Sequence, residues 1–104
     1  MSQFKNVTVD VAANVYFDGA VTSRKIHFDD GSFKTLGIMM PGEYEFGTEA
    51  AETMDIVAGK LTVLLPESEE WQLIEGGQSF DVPANSSFKL KVEELTDYTC
   101  SYHT

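Results

Sequence analysis

Turn-forming residues recur along the whole of this 104-residue chain and divide it into short apolar runs. Sequences typical of tight turns follow these runs at Asp18-Gly19, Asp29-Asp30-Gly31, Pro41-Gly42, Ala58-Gly59 and Gly76-Gly77. Within the runs, apolar and polar residues alternate with a period of two, which is the pattern of a strand with one buried face. We count about ten such strands, at roughly the 8–12-residue spacing of a sandwich or barrel. The chain is therefore predicted to be all-β, with one plausible helical turn, between Thr48 and Thr53.

The length is that of one domain, so residues 1–104 are expected to share a single core, with residues 1–13 as a candidate N-terminal strand extension. A chain of this size buries roughly 60–70% of its unfolded surface, which is enough for a core without disulfides or a structural metal. The one cysteine, Cys100, is expected to be a buried, unreactive thiol. A reducing cytoplasm is the expected location, because no secretory signal is recognisable at Met1.

The charge is strongly acidic, with 7 Lys and Arg against 17 Asp and Glu and a net charge of −10. Nucleic-acid affinity depends on cations that neutralise phosphates, so we expect no nucleic acid and no anionic membrane surface among the partners. No stretch approaches the ~20 apolar residues that a membrane-spanning helix needs. The expected partners are small molecules.

Two segments resemble the paired motifs of the cupin superfamily. The first motif runs glycine, five residues, His-x-His, glutamate and glycine; here the order is Gly37, Ile38 to Gly42, Glu43-Tyr44-Glu45, then Glu49 or Glu52, then Gly59. The second runs glycine, five residues, Pro-x-Gly, two residues and histidine; here it is Gly77, Gln78 to Val82, Pro83-Ala84-Asn85, Ser86-Ser87 and Phe88. The resemblance implies a jelly-roll β-barrel.

The metal ligands of these motifs are not kept. Glu43, Glu45 and Phe88 stand at the three histidine positions, and the two histidines of the chain, His27 and His103, lie outside both motifs. We therefore expect no metal and no other cofactor.

A longer set of strings resembles one small cupin family, the pyrimidine/purine nucleoside phosphorylases. The matching strings are Asn14-Val15-Tyr16-Phe17, Pro41 to Phe46, Val63-Leu64-Leu65-Pro66, Trp71-Gln72, Phe80-Asp81-Val82-Pro83 and Tyr98 to Tyr102. The resemblance implies a pentosyltransferase of broad specificity, which uses phosphate to convert purine and pyrimidine nucleosides to free base and ribose 1-phosphate. Cupins commonly dimerise, so a homodimer is expected. The family supplies no assured catalytic set, and the site residues below are candidates chosen on their chemistry.

Glu43 and Glu45 are the candidate catalytic residues. They share one face of a strand, and in the cupin register that face lines the mouth of the barrel. There a carboxylate could accept hydrogen bonds from ribose hydroxyls and offset the positive charge that develops on the sugar. We therefore expect Glu43 to matter more for chemistry than for folding. The alternative is a solvated hairpin face.

Arg24 and Lys34 are the candidate phosphate-binding residues, because an arginine can hold phosphate with two hydrogen bonds and Lys34 lies across the Asp29–Gly31 turn from it. Candidates for stacking on the base are four aromatic residues, Tyr44, Phe46, Trp71 and Tyr98. The alternative for the cations is a surface location, and the alternative for the aromatic rings is a place in the core.

A second function also fits the sequence, namely a non-catalytic cupin that binds a small molecule. It would show the same apolar residues at the metal positions. A metal-dependent oxygenase or isomerase is disfavoured by the missing histidines.

Protein purified without added metal is expected to contain no stoichiometric zinc or iron. The motif positions offer carboxylates and an aromatic ring, and carboxylates alone suit hard cations such as Mg²⁺ or Mn²⁺ better. Elemental analysis of the purified chain checks this, and stoichiometric zinc or iron would contradict it.

Overall fold

Residues 3–103 are described by a computed structural model, in which nine β-strands and one 3₁₀ turn follow one another along the chain. They are β1 (Thr8–Val9), β2 (Asn14–Tyr16), the 3₁₀ turn (Phe17–Gly19), β3 (Val21–His27), β4 (Phe33–Met39), β5 (Gly42–Gly47), β6 (Ala51–Leu64), β7 (Gln72–Glu75), β8 (Ser79–Val82) and β9 (Ser87–His103). The described residues contain no α-helix, which confirms the all-β prediction. Within that range, no helix is long and apolar enough to cross a membrane. Residues 1, 2 and 104 of the predicted domain lie outside the described residues.

Two long strands, β6 and β9, hold the sheet together because each pairs with several others along its length. β9 pairs with β5 through residues 87–92 and with β4 through residues 96–101. β6 pairs with β9 along most of its length, and its other edge pairs with β8 and then with β7. These changes of partner curl the antiparallel sheet around one interior, and every strand from β3 to β9 contributes side chains to the core cluster there.

Both long strands join segments that the sequence predicts as separate strands. Ala58-Gly59 is the expected turn within β6, but the structure has register shifts between Ile56 and Leu61 instead. Gly59 has a φ of +109°, and a side chain there would come within 2.7 Å of the Leu95 carbonyl oxygen on β9. The glycine therefore allows a bulge at which the two strands stay paired.

The expected helical turn between Thr48 and Thr53 is wrong. Thr48 is held in a bend, where its hydroxyl donates to the Pro83 carbonyl at 2.8 Å and accepts from the Ser86 N–H at 3.0 Å. β6 then begins at Ala51, because that segment has β8 and β9 as neighbours with which to pair. Tertiary pairing thus overrides a weak local preference.

The N-terminal strands β1 and β2 both pair with β3. The 3₁₀ turn that follows β2 contains Phe17 and Asp18 with positive φ values of 51° and 56°, an uncommon conformation for non-glycine residues. The Phe17 ring packs against Tyr44 and Phe46, with ring centroids 4.9 and 5.5 Å apart. These contacts tie the turn to the inner face of β5.

Gly37→Ala is expected to destabilise the fold by about 1–3 kcal/mol or more, because it overpacks a closed site. A Cβ at Gly37 would collide with the Thr22 carbonyl oxygen and lie 2.7 Å from the Tyr98 ring. Gly47→Ala is the matched control, since the nearest heavy atom to its Cβ would be 3.9 Å away. Denaturant unfolding of both variants measures the difference, and equal stability would contradict this packing argument.

Candidate functional site

A cavity of about 180 Å³ opens on the inner face of the sheet. Its polar lining consists of Ser23, Thr35, Glu52, Tyr98, Cys100 and Tyr102, and the rest of the lining of Tyr16, Phe46, Gly47, Met54 and Phe88. The cavity therefore combines one carboxylate and several hydroxyl groups with aromatic surface.

The strand register brings these side chains together. Thr35 on β4 lies opposite Cys100 on β9, and Cys100 lies opposite Met54 on β6. One step along, Tyr102 lies opposite Glu52. Directly opposite residues point to the same face of a sheet, so the opposed residues of β4, β9 and β6 line one cavity.

Glu52 is the carboxylate of the cavity. It is half-buried, and loss of solvent raises the pKa of its carboxyl group, an effect partly offset by a hydrogen bond from the Cys100 thiol. The ion pairs among residues 3–103 are His27–Asp10 and Lys60–Glu93, so Glu52 has no cationic partner there. Its oxygens are therefore available to accept hydrogen bonds from a ligand.

The other ionisable groups of the cavity stay neutral near pH 7. Burial raises the pKa of Cys100 to about 12 and raises the pKa values of Tyr98 and Tyr102 above the usual range of a phenol. The Tyr102 hydroxyl lies 3.1 Å from that of Thr35, and the Tyr98 hydroxyl donates to the Thr22 carbonyl at 3.3 Å. Cys100 is thus a buried thiol that stays protonated, in agreement with the unreactive thiol expected from the sequence.

The expectation that Glu43 and Glu45 line the barrel is wrong. Both side chains are exposed, whereas Tyr44 is buried and Phe46 half-buried on the inner face. Side chains alternate along a strand, so a one-residue error in assigning the histidine positions exchanges the inner and outer sets. Glu43 and Glu45 lie opposite Lys91 and Lys89 on the outside. A catalytic role for either glutamate stays a prediction without support from this geometry.

The four aromatic candidates divide between the two faces. Phe46 and Tyr98 line the cavity. Tyr44 is in the core and donates from its hydroxyl to the Met40 carbonyl at 2.6 Å. Trp71 is exposed outside, with the Lys91 amine 4.3 Å from its ring centroid, beside a shallow depression of about 390 Å³ that Glu43 and Glu45 border.

The two phosphate candidates lie on the outer face of the sheet. Arg24 donates from Nε to the Val11 carbonyl at 3.1 Å, and the Lys34 amine lies 5.3 Å from the centre of the Phe4 ring. Both cations contact the N-terminal segment, and neither lines the cavity. Their role in phosphate binding stays a prediction.

Sequence reasoning missed Glu52 as a site residue, although it named that residue as one of two candidates for the motif glutamate. The alternation of inward and outward side chains along β6 could have identified Glu52. Glu52 falls in step with Met54 and Ile56, both buried, while Asp55 and Val57 fall in step with the exposed face. The apolar members of the alternation identify the inner side, and Glu52 belongs to it.

A metal of the kind held by many cupins does not fit this cavity. Aromatic carbon occupies the lining at Phe46 and Phe88, and of the usual ligand types His, Cys, Asp and Glu the lining contains Glu52 and Cys100. Among residues 3–103, no three His, Cys, Asp or Glu side chains converge as a metal site would require.

A larger groove of about 690 Å³ lies on the outer face, between the N-terminal segment and the sheet. Its lining is mainly apolar, and it includes Phe4, Val7, Ile26 and Leu36. The groove has one carboxylate, that of Asp97, and one hydroxyl, that of Thr99. The smaller cavity has several hydroxyls around its carboxylate, which is why we assign chemistry to the latter.

The fold is that of a cupin. The chain is similar to an RmlC-like cupin from Shewanella frigidimarina, with a TM-score of 0.70 at 14% identity, over 97% of this chain and 86% of the other. It is also similar to a protein of unknown function from Acinetobacter sp. ADP1, with a TM-score of 0.95 at 42% identity, over 97% and 98% of the two chains.

The particular family follows from sequence comparison. Residues 11–102 match the family described as pyrimidine/purine nucleoside phosphorylase. Proteins of that name from Geotalea uraniireducens and Sulfurovum sp. are 65% and 63% identical to this chain, over 98% of it and 98% and 99% of their own lengths. The chain belongs to the pyrimidine/purine nucleoside phosphorylase family, which confirms the resemblance seen in the sequence.

Glu52→Gln is expected to raise the free energy of unfolding at pH 7. Burial raises the pKa of Glu52 in the folded chain above its ordinary value near 4.5. The unfolded chain therefore loses this proton first as the pH rises, and ionisation then favours unfolding. The stability that protonated Glu52 contributes is complete below about pH 4.5 and is lost as the pH rises through the folded pKa.

The measurement is denaturant unfolding of wild type and variant at pH 7 and near pH 4.5. The advantage of Glu52→Gln should shrink at the lower pH. Glu49→Gln, at an exposed glutamate three residues earlier, is the control and should change stability by less than about 0.5 kcal/mol. A variant less stable than wild type at pH 7 would contradict the argument.

Proposed function

We propose that this chain is a nucleoside phosphorylase that acts in the cavity around Glu52. It cleaves purine and pyrimidine nucleosides with inorganic phosphate and releases free base and ribose 1-phosphate, which makes it a pentosyltransferase. Membership of the phosphorylase family supports the reaction, and the chemistry of the cavity supports its location.

One observation carries the location, namely a half-buried carboxylate that has no cationic partner among residues 3–103 and lies in a cavity lined by hydroxyls. The ribose hydroxyls of a nucleoside are donors that a carboxylate accepts, and the hydroxyls of Ser23, Thr35 and Tyr102 can bond to the remaining sugar oxygens. Such a set matches a sugar better than it matches an apolar ligand.

The size of the cavity suggests how the nucleoside lies in it. A volume of about 180 Å³ is below the roughly 300–1,000 Å³ of pockets that enclose a whole drug-sized ligand, which suits a pentose better than a whole nucleoside. The base then lies toward the mouth, against aromatic rings such as Phe46 and Tyr16. Stacking on a ring accepts the flat face of any base, and broad specificity follows from that.

The reaction breaks one bond and forms another. A phosphate oxygen forms a bond to the anomeric carbon as the bond from that carbon to the base nitrogen breaks. The electron pair of the broken bond goes to the base, which takes up the proton that the attacking hydrogen phosphate loses, directly or through solvent. Positive charge develops on the sugar during this exchange, and the Glu52 carboxylate stabilises it electrostatically.

The homodimer and the cytoplasmic location expected from the sequence stay predictions.

Glu52→Gln is expected to lower kcat for phosphorolysis of inosine or uridine by about two to three powers of ten, the loss typical of one electrostatic contact in the transition state. The substitution keeps the size of the side chain and removes its charge. Release of free base in the presence of phosphate, followed by chromatography, measures the rate.

Two further variants give the comparison. Glu49→Gln controls for the loss of one negative charge near the site, and Glu43→Gln tests the prediction made from the sequence. Loss of turnover in Glu43→Gln but not in Glu52→Gln would move the site to the outer face. Wild-type protein that binds nucleosides without turnover would favour the non-catalytic small-molecule-binding cupin instead.

A further inference from the structure

One cation faces the cavity side of the sheet, and it is neither of those chosen from the sequence. β3 pairs with β4 in unbroken register from Val21 to His27, so its side chains alternate strictly. Val21 and Ser23 are buried on the inner face, and Lys25 is in step with them. Arg24, between them, points outward.

The register places Lys25 beside the polar wall of the cavity. Lys25 lies directly opposite Thr35 on β4, where opposite Cβ atoms are about 4.5–5.5 Å apart. Thr35 lines the cavity, and its hydroxyl is 3.1 Å from that of Tyr102. Tyr102 in turn lies opposite Glu52. Lys25 and Glu52 thus stand on either side of the same pair of hydroxyls.

The Lys25 amine packs over an aromatic ring that neighbours the cavity. It lies 4.3 Å from the centroid of the Phe33 ring, and Phe33 packs on Tyr102 with centroids 5.0 Å apart. Neither ion pair among the described residues involves Lys25. The face of a ring attracts a cation without neutralising its charge, so the amine remains able to bind an anion.

The other lysines and the arginine of strands β3 to β9 are turned elsewhere. Arg24 and Lys34 contact the N-terminal segment on the outer face. Lys60 pairs with Glu93, and Lys89 and Lys91 are exposed opposite Glu45 and Glu43. His27 is in step with Lys25, but its ring is paired with Asp10. In a chain of net charge −10, Lys25 is therefore the lysine of these strands that can act as a counter-charge for an anion in the cavity.

We propose that Lys25 binds inorganic phosphate at the rim of the cavity, together with the hydroxyls of Thr35 and Tyr102. The inference rests on the proposed phosphorolysis and adds the binding site of its second substrate. One ammonium and two hydroxyl donors meet the acceptor oxygens of a phosphate. A phosphate held there lies next to the sugar that Glu52 binds.

The test compares charge removal at neighbouring positions that face opposite ways. Lys25→Met keeps most of the length of the side chain and removes its charge. With inosine saturating, it should raise the KM for phosphate by about 10- to 100-fold, the loss expected for one charge-assisted hydrogen bond. The KM for inosine should change by less than about threefold, and Lys25→Arg should restore part of the phosphate affinity.

Arg24→Met and Lys34→Met supply the matched comparison, because they remove the same charge from the outer face. Each should leave the KM for phosphate within about threefold of wild type. A phosphate KM unchanged in Lys25→Met, or raised as much by either outer-face variant, would overturn the proposal. Circular dichroism of each variant verifies that the sheet is intact.

A second measurement separates this proposal from the proposed reaction. Added inorganic phosphate should raise the Tm of wild type, Arg24→Met and Lys34→Met without any nucleoside, since a ligand that binds only the folded chain stabilises it. It should not raise the Tm of Lys25→Met. If wild type cleaved no nucleoside yet showed this pattern, the reaction would be wrong and the phosphate site would stand. An equal rise in Lys25→Met would remove the site.

Discussion

The antiparallel ladder between β6 and β9 is the interaction on which the rest of the structure depends. It spans both long strands and survives the bulge at Gly59, so the partners of each strand are fixed relative to one another. Side chains at directly opposed positions share a face, and the ladder therefore decides that Glu52, Cys100 and Tyr102 meet in one cavity. The outer strands β3 and β4 inherit their register from β9 in the same way.

Much of the fold could be predicted from the sequence, and the reason is local. Glycine and proline turns such as Pro41-Gly42, and the period-two alternation between them, mark strands without any knowledge of tertiary contacts. The local pattern could not show whether a glycine forms a bulge within a continuous strand or a turn at the end of a strand. At Gly59 the choice between a turn and a bulge depends on β9, which lies far away in sequence.

The site was harder to predict because it depends on which face of a strand each side chain occupies. Side chains alternate between the two faces, so an error of one residue reverses every assignment. The orientation expected of Glu43 and Glu45 was wrong by one residue, since the inner positions of that strand are Tyr44 and Phe46. Neighbouring cations of β3 differ in the same way, because Arg24 points outward and Lys25 is in step with the inner face. The family resemblance predicted the reaction correctly. It did not predict which way the side chains point, because this chain lacks the histidines that would have fixed the register of the motif.

Strict alternation also limits how the gene for this chain can change. A substitution in β3 or β4 alters one side chain, whereas loss or gain of a single codon inside either strand would turn every following side chain to the opposite face. Such a change would turn the cavity hydroxyl of that strand, Ser23 in β3 or Thr35 in β4, to the opposite face of the sheet. Variation in length is therefore confined to connections such as the Asp29–Gly31 turn, where Gly31 has open space around it and no cavity residue is displaced.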